Sequence, residues 1–548
     1  MEPELVKQWS AEGLLPTLSY CTHRGCGGRL LSTFNQLTSS AWPTVATGAN
    51  PGRHGIYNFQ ERVGREYRLH LPTAHDRQLP AFWELASDAG RQVATIGVPM
   101  SYPLRPVNGL GVADWIAPST NSPGFFYPDH LKHDLLHRFG HSYFMEYWGD
   151  HSPQDNGRYY RCLRDLLRGV ERGFALFEYI QQLQFSHLFF GVIREADMAG
   201  HVFWPFHSGQ RVMHDPGLTA DMQGALQSVY RQVDACLGRF LELVGGGANL
   251  MIISDHGTGQ RPLGTSCVGP LLQAAGLMVT RAPAIPPAPA SLWSSLRRNL
   301  IHQLPWHVRR RLRPLTEEIR SRGFTAAHLA HLDFQRSRAY TFTAGQVGEI
   351  WLNLTGRDPL GMVPPGAEQQ VLEEEIIRLF TEAKDPVTGE RPVLAVQRRE
   401  ELFQGPCLEM LPDLLVSFKP NLNVSGLRTR LRDGTRITVE IPPGSAESVD
   451  GAHTAYGCLL ACGPDFQNSE VPVEGTLMDV APTALALLGV PIPASVEGRV
   501  LTETLQPWVQ PVYTDRMTAA LPDLRAQPSY TDDELRRIEK RLANLGYL

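Results

Sequence analysis

The chain has 548 residues, 42% of them hydrophobic and 20% charged, with a formal net charge of -5. That is globular composition, long enough for a large core, and it gives no overall basis for binding a nucleic-acid polymer. The N-terminal stretch MEPELVKQWSAEGLLP carries acids and no apolar signal core, and no run is long and apolar enough to span a bilayer. The eight cysteines, at 21, 26, 162, 236, 267, 407, 458 and 462, form no CxxC pair. They read as reduced thiols, and the chain as a cytoplasmic protein.

Residues 3–37 read as a helix followed by a short strand, RLLSTF. Thr38 then stands before SSAWPTVATG, a run suited to a helix that stops at Gly48 and the Asn50-Pro51-Gly52 turn. Thr38 is expected to be the N-cap, its oxygen accepting a helix N–H. A hydroxyl there also sits at the positive end of the helix dipole, where an anion or alkoxide is stabilised. QVATIGV (92–98) is a short buried-strand signal, followed by a Pro-rich loop. That loop, over 99–125 with Trp115, Phe125, Phe126 and Tyr127, and the region 266–334 are expected to shape a pocket, core packing being an equal explanation of the aromatics. Residues 158–183 are amphipathic and helical, and SHLFFGVI (186–193) reads as the next buried strand, ending in Arg194-Glu195-Ala196-Asp197. A long helix over 220–244 leads to the strand NLMIISDHG (249–257). Strands alternating with helices predict an α/β sheet covered on both faces, with its chemistry beyond the carboxyl ends of the strands. Asp197 and Asp255 both lie at such ends.

Composition shifts near 265. RAPAIPPAPAS (281–291) reads as a linker, and 293–322 brings a run of arginines interleaved with Trp293 and Trp306. Its plain reading is the solvated face of an inserted helical cap; its sharper one is a basic lid over an anionic substrate or a membrane-surface element. Strand-and-turn patterns resume with RAYTF, EIWLNLTGRDP, PVLAVQR, PDLLVSF and CLLACGP. This divides the chain into a core over 1–265, a cap over 266–334, a second core part over 335–505 and a tail over 506–548. In the tail Thr531 and Glu534 form a capping box, and Leu535, Ile538, Leu542 and Leu545 share one apolar face that docks on the core or on a partner subunit.

Three pieces carry metal-ligand chemistry. Asp197 and His201 are four residues apart after a strand, Asp255-His256 is an adjacent pair at a strand end, and His453 sits in the turn DGAHTAYG. Each alone is common. Together they offer two carboxylates and three imidazoles, a set suited to zinc or manganese. A hydroxyl beside two such ions ionises near neutral pH, and the ions clamp the attacking and leaving oxygens of a phosphoryl group.

The order Thr…DxxxH…DH…GxH resembles the alkaline phosphatase superfamily, in particular its type I phosphodiesterase/nucleotide pyrophosphatase branch. Thr38 stands ten residues before Gly48 of the Thr47-Gly48 pair. The resemblance continues through NPGRHGI, DFQRSRAYTF, WLNLTGRDPLGMV, DPVTGE, PDLLVSF, MDVAPTALALLGVP and LANLGYL. It lacks the CxPSR-like run of sulfatases. The resemblance implies a three-layer α/β/α sandwich with an inserted helical cap, hydrolysing a small-molecule phosphoester. Thr38 would be the nucleophile, passing through a covalent phosphothreonine. Two divalent ions are implied, zinc first and manganese second: one on Asp197, His201 and His453, the other on Asp255 and His256 beside Thr38. Asn58 would hold a phosphoryl oxygen and Arg357 would be a substrate-side cation. The tail helix allows a homodimer.

One departure stands out. The family pattern begins with an apolar strand ending in an Asp that binds the metal beside the nucleophile. Here Glu2, Glu4 and Glu12 are the only acids before Glu61, no Asp precedes Asp76, and no apolar strand precedes MEPELVKQWS. A missing central strand is expected to leave backbone edges open on both sides. Three functions stay open: a two-metal phosphoester hydrolase, a transferase passing the same group to an alcohol, and a binding protein that keeps the fold with an incomplete site. A phosphomutase, which takes Ser as nucleophile, ranks below these.

Overall fold

The structure, a computed structural model, describes residues 1–62, 67, 69–145, 157–209, 216–281, 331–342, 345–420, 422, 424–441, 451–515, 530 and 532–544. Most of the expected cap, with its arginines, Trp293 and Trp306, lies outside them, as do Thr531, Leu545 and Asp450.

The first segment is two helices, α1 (Pro3–Ala11) and α2 (Pro16–Arg24), where the sequence suggested one. Gly13 takes a left-handed φ of 74° and ends the first, and Pro16 at the first turn begins the second. The strand β1 (Gly25–Leu31) starts earlier than RLLSTF, and α3 (Thr38–Thr47) follows. Next come β2 (Val93–Ile96), β3 (Gly109–Val112), β4 (Phe126–Tyr127), α4 (Gly157–Leu183) and β5 (Leu188–Gly191). Then α5 (Glu195–His207) and α6 (Ala225–Val244) lead to β6 (Leu250–Ile253) and β7 (Gly257–Gln260). Later in the chain lie β8 (Ala339–Tyr340), β9 (Gly348–Leu352), α7 (Ala367–Thr381), β10 (Val393–Arg398) and β11 (Leu414–Phe418). The last part holds β12 (Gly451–Thr454), β13 (Tyr456–Cys462), β14 (Val473–Thr476), α8 (Val480–Leu487) and α9 (Asp532–Asn544).

Two half-sheets form the centre, one ordered β14-β1-β13-β6 and the other β4-β3-β2-β5. In the second, β2 runs parallel to both β3 and β5. Both halves lie between the same two helical layers. Phe189 of β5 and Leu250 and Ile252 of β6 pack into the core under α4, α5 and α6. Leu188, Phe190, Met251 and Ile253 pack into the opposite core, with Trp42, Val45 and Leu485. The architecture is therefore α/β/α. Yet β5 and β6 each end their half-sheet, and among the described residues neither pairs with the other. SHLFFGVI, expected to be buried, is half-exposed along all of β5, as is β6, whereas β2 is buried throughout. An open seam runs through the middle of the sheet.

A separate antiparallel sheet, β8-β9-β11-β10, packs with α7 and the helix Val268–Ala274 around its own core, which includes Leu271, Ile350, Leu352, Ile376 and Leu414. The chain then returns to the central sheet through β13, which inserts between β1 and β6. The tail helix docks on the core: Ile538 and Leu542 are buried against Ile56, Phe59, Trp115 and Ile116. All eight cysteines are buried, and none is in a disulfide. No helix among the described residues is long and apolar enough to cross a membrane.

Candidate active site

Thr38 and Asp197 sit in the first turns of helices, Asp255 and His256 just beyond a strand, and His201 and His453 within a helix and a strand. Asp197 and His201 lie on α5, which begins just after β5. Asp255 and His256 fill the turn between β6 and β7. His453 is on β12, which pairs antiparallel with β7, His453 opposite Thr258. Glycines let these pieces approach. A Cβ on Gly451 would lie 2.1 Å from the Gly200 carbonyl oxygen, and one on Gly200 would lie 2.7 Å from Thr258 Cγ2. Without side chains at both positions, α5 rests directly on the β7–β12 ribbon.

The imidazoles are oriented alike. Nδ1 of His201 lies 2.9 Å from the Gly451 carbonyl, that of His453 2.6 Å from the Gln36 carbonyl, and that of His256 2.9 Å from the Gly257 carbonyl. A carbonyl only accepts, so each Nδ1 carries the proton and each Nε2 presents a lone pair. These lone pairs converge. His201 Nε2 and His453 Nε2 are 3.1 Å apart, and each is 3.6 Å from Asp197 Oδ1. His256 Nε2 is 3.9 Å from Asp197 Oδ1 and 3.4 Å from Asp255 Oδ2. His256 is 2% exposed, and its Nε2 has no hydrogen-bond partner among the described residues. Converging lone pairs, an orphaned buried nitrogen and outward Nδ1–H groups tied to carbonyls are the marks of a cation site. The residues fit divalent metal, and Asp197, His201 and His453 offer ligand atoms within 4.8 Å of one another.

Electrostatics agree with this arrangement. Burial would raise the Asp197 carboxyl, but the imidazoles of His201, His453 and His256 outweigh it and hold the group well below the usual carboxylate range. Burial, then the charge of Asp197, pushes Asp255 up to about 6. Burial, then His453, lowers the His256 imidazole well below its ordinary value.

Thr38 faces the same opening, lined also by Trp42, Pro99, Trp115, Arg194, Asp197 and Asp255. It is not the N-cap expected from sequence. The cap position is Leu37, which has no side-chain cap, and Thr38 is the first helical residue of α3. Within that turn the Ser40 and Ala41 amides bond the Leu37 carbonyl at 3.0 and 2.9 Å.

Asn58 and Arg357 are put to other uses. The Asn58 amide donates to both carboxylate oxygens of Glu349 at 3.2 and 3.3 Å. Arg357 donates to Asp413 Oδ1 and Oδ2 at 2.6 and 2.8 Å, lies 3.2 Å from Asp358 Oδ2 and also reaches the Leu352 carbonyl. Neither lines the Thr38 opening. The basic residue that does is Arg194, directly after β5.

Sequence reasoning also passed over Glu2 and Gln36. Glu2 accepts from the Thr258 amide at 2.9 Å and from Thr454 Oγ1 at 3.0 Å, bracing both strands of the ribbon. Gln36 adopts a left-handed φ of 53°, uncommon for a residue with a side chain, and its carbonyl meets His453. Neither has a local sequence signal, because each acts on a partner hundreds of residues away.

The family model for type I phosphodiesterase/nucleotide pyrophosphatase matches residues 1–426. No curated protein matches significantly. Among solved structures, phosphonoacetate hydrolase from Sinorhizobium meliloti 1021 with phosphonoacetate is 14% identical, covers 89% of this chain and 93% of its own, and has a TM-score of 0.50. Murine ectonucleotide pyrophosphatase/phosphodiesterase 5 is 11% identical over 91% of this chain and 97% of its own, at a TM-score of 0.44. At such identities the first of these speaks for the fold alone. The family match spans most of the chain and runs through Thr38, Asp197, His201, Asp255 and His256, and so the chain belongs to the type I phosphodiesterase/nucleotide pyrophosphatase family of the alkaline phosphatase superfamily.

Proposed function

We propose that the chain is a metal-dependent phosphoester hydrolase whose nucleophile is Thr38. The observation that carries this reading is one opening shared by the Thr38 hydroxyl and the carboxylates Asp197 and Asp255, at the start of α3. Two divalent ions, zinc first and manganese second, are the expected cofactors, with Asp197, His201 and His453 holding one and Asp255 and His256 the other. Bound there, they supply positive charge that favours the Thr38 alkoxide and neutralises the phosphoryl oxygens.

The chain's own residues do the rest. Thr38 Oγ1 attacks phosphorus, the bond to the leaving oxygen breaks, and the hydroxyl proton ends on the departing alcohol. Water then attacks the phosphothreonine, restoring the Thr38 hydroxyl and releasing the phosphate product. The positive end of the α3 dipole favours the negative charge beside it. The carbonyls of Gly451, Gln36 and Gly257 keep three imidazoles in one tautomer throughout.

The test is hydrolysis of bis-p-nitrophenyl phosphate and p-nitrophenyl phosphate side by side, with zinc or manganese added and Thr38→Ala as control. Turnover lost in the variant supports the reading; turnover unchanged by Thr38→Ala sinks it. Added alcohol separates transfer from hydrolysis through the products. A second reading, a phosphoester-binding protein without turnover, is favoured by the open seam between β5 and β6. It predicts metal-dependent binding of a phosphonate with no turnover of either ester.

A further inference from the structure

The C-terminal helix reaches the wall of the Thr38 opening. Arg541 on α9 donates from Nη1 to the carbonyls of Trp115 and Ala117 at 2.9 and 2.6 Å, and from Nη2 to that of Pro118 at 3.0 Å. Trp115 is 7% exposed and lines the opening beside Thr38. This stretch belongs to no helix or strand. From within the loop it is held by Asp114, whose Oδ1 accepts from the Ile116 amide at 2.6 Å and the Ala117 amide at 3.3 Å. Arg541 gathers the carbonyls of the same turn, and a planar guanidinium with five donors suits that task where an ammonium does not.

The anchorage is more than one side chain. Ile538 and Leu542 bury the helix face against Trp115, Ile116, Met100 and Ile56. Tyr530 stacks on Tyr102 with ring centroids 6.1 Å apart, and Ser122 Oγ donates to Glu534 Oε1 at 3.2 Å. Thus Tyr530 and α9 grip the pocket-side loop at three places along its length. Arg541 is half-buried there, and burial first, then the charges of Arg194 and Arg537, lower its guanidinium to about 10.

We propose that Arg541 is a positioning residue: it fixes Trp115 as the wall on which the organic part of a phosphoester packs, and so sets substrate affinity rather than the bond-breaking step. This rests on the function proposed above. The other apolar lining of the opening is Trp42, Pro99, Val192, Ile193 and Met198, and its polar lining is Thr38, Arg194, Asp197 and Asp255. A group held by contact with Trp115 is bound equally in ground and transition states, so loosening the wall raises KM and spares kcat.

Two measurements on the full chain test this. Hydrogen exchange at the amides of Ile116 and Ala117 reads the positioning whether or not the chain turns over any ester. Arg541→Ala is expected to speed exchange there at least tenfold without speeding it in β2 or β13, and Arg541→Lys to restore part of the protection. Steady-state hydrolysis of bis-p-nitrophenyl phosphate then reads the consequence. Arg541→Ala and Trp115→Ala are each expected to raise KM about tenfold with kcat within about twofold, and the double variant to be no worse than Trp115→Ala. Unchanged exchange at 116–117, faster exchange throughout the chain, or KM effects that multiply in the double variant would each overturn the proposal. If Arg541→Ala does not fold, Arg541→Lys carries both measurements, with intermediate changes expected and none overturning it. Should the parent show no Thr38-dependent turnover, the function is wrong and exchange still decides whether Arg541 holds the wall.

Discussion

Gly200→Ala places one methyl group between the two parts that carry the imidazoles. Gly200 precedes His201 on α5, and its added Cβ would fall 2.7 Å from Thr258 Cγ2 and 2.8 Å from Thr258 Oγ1. Non-bonded carbons prefer about 3.5–4.0 Å, so α5 and the ribbon must part by roughly 1 Å. That moves His201 and Asp197 away from His453. A displacement of ~1 Å at a reacting centre costs about 10²-fold in rate, equivalent to about 2.7 kcal/mol of barrier. The assay is kcat/KM for bis-p-nitrophenyl phosphate with zinc in excess, together with bound metal per chain after gel filtration. The cause can be isolated, because Thr258→Ala removes both clashing atoms and leaves only its Cβ, at 3.3 Å. In the Gly200→Ala background it should return activity to within about fivefold, a residual cost of ~1 kcal/mol. Full activity in Gly200→Ala alone, or no recovery in the double variant, would refute the idea that close backbone approach builds the site.

Other expectations follow from the same geometry. His54 is buried, and burial first, then the Arg77 charge, lowers its imidazole from 6.5 to about 3. The unfolded chain therefore binds a proton as pH falls through 6.5 while the folded chain does not, so stability drops across the window from 6.5 to about 3, by about 1.4 kcal/mol per unit at most. Urea unfolding at pH 7, 6 and 5 should show this slope, and His54→Gln should flatten it; an equally steep variant would exclude His54 as its source. Arg357→Met should lower stability by about 2–4 kcal/mol, because it strips a partner from the buried Asp413 and Asp358. Its KM should stay unchanged, whereas a raised KM at full stability would return Arg357 to the substrate. Amides of β5 and β6 should exchange faster than those of β2 and β13, which are paired on both sides. Equal protection in all four strands would mean that the seam is closed in solution.

What could be read from the sequence was what lies close together along the chain. QVATIGV, NLMIISDHG and the long helix over 158–183 each show their own periodicity, and the Asp197–His201 and Asp255–His256 pairs each sit within five residues. The α/β class and the position of these pairs beyond strand ends were legible on that basis. Pairings across the chain were not. β13 inserts between β1 and β6 from residue 456 onward, and nothing in CLLACG names its neighbours. The apolar face of β5 looked like that of a fully buried strand because periodicity reports a face and not an edge. Arg357 looked available because its partner Asp413 is 56 residues on. Thr38 looked like a cap because a favourable residue type does not fix where the helix starts; here the extended backbone at Leu37 does.

The seam changes what cation affinity would measure in this protein. Asp197 and His201 follow β5, on one half of the sheet; Asp255 and His256 follow β6, and His453 precedes β13, on the other. Whatever draws these five side chains together also draws the halves together. Cohesion of the sheet and occupancy of the site are then two readings of one equilibrium, linked reciprocally. Chelation should loosen a structural joint as well as silence a reaction, and any segment that zipped β5 to β6 would sharpen cation binding from a distance.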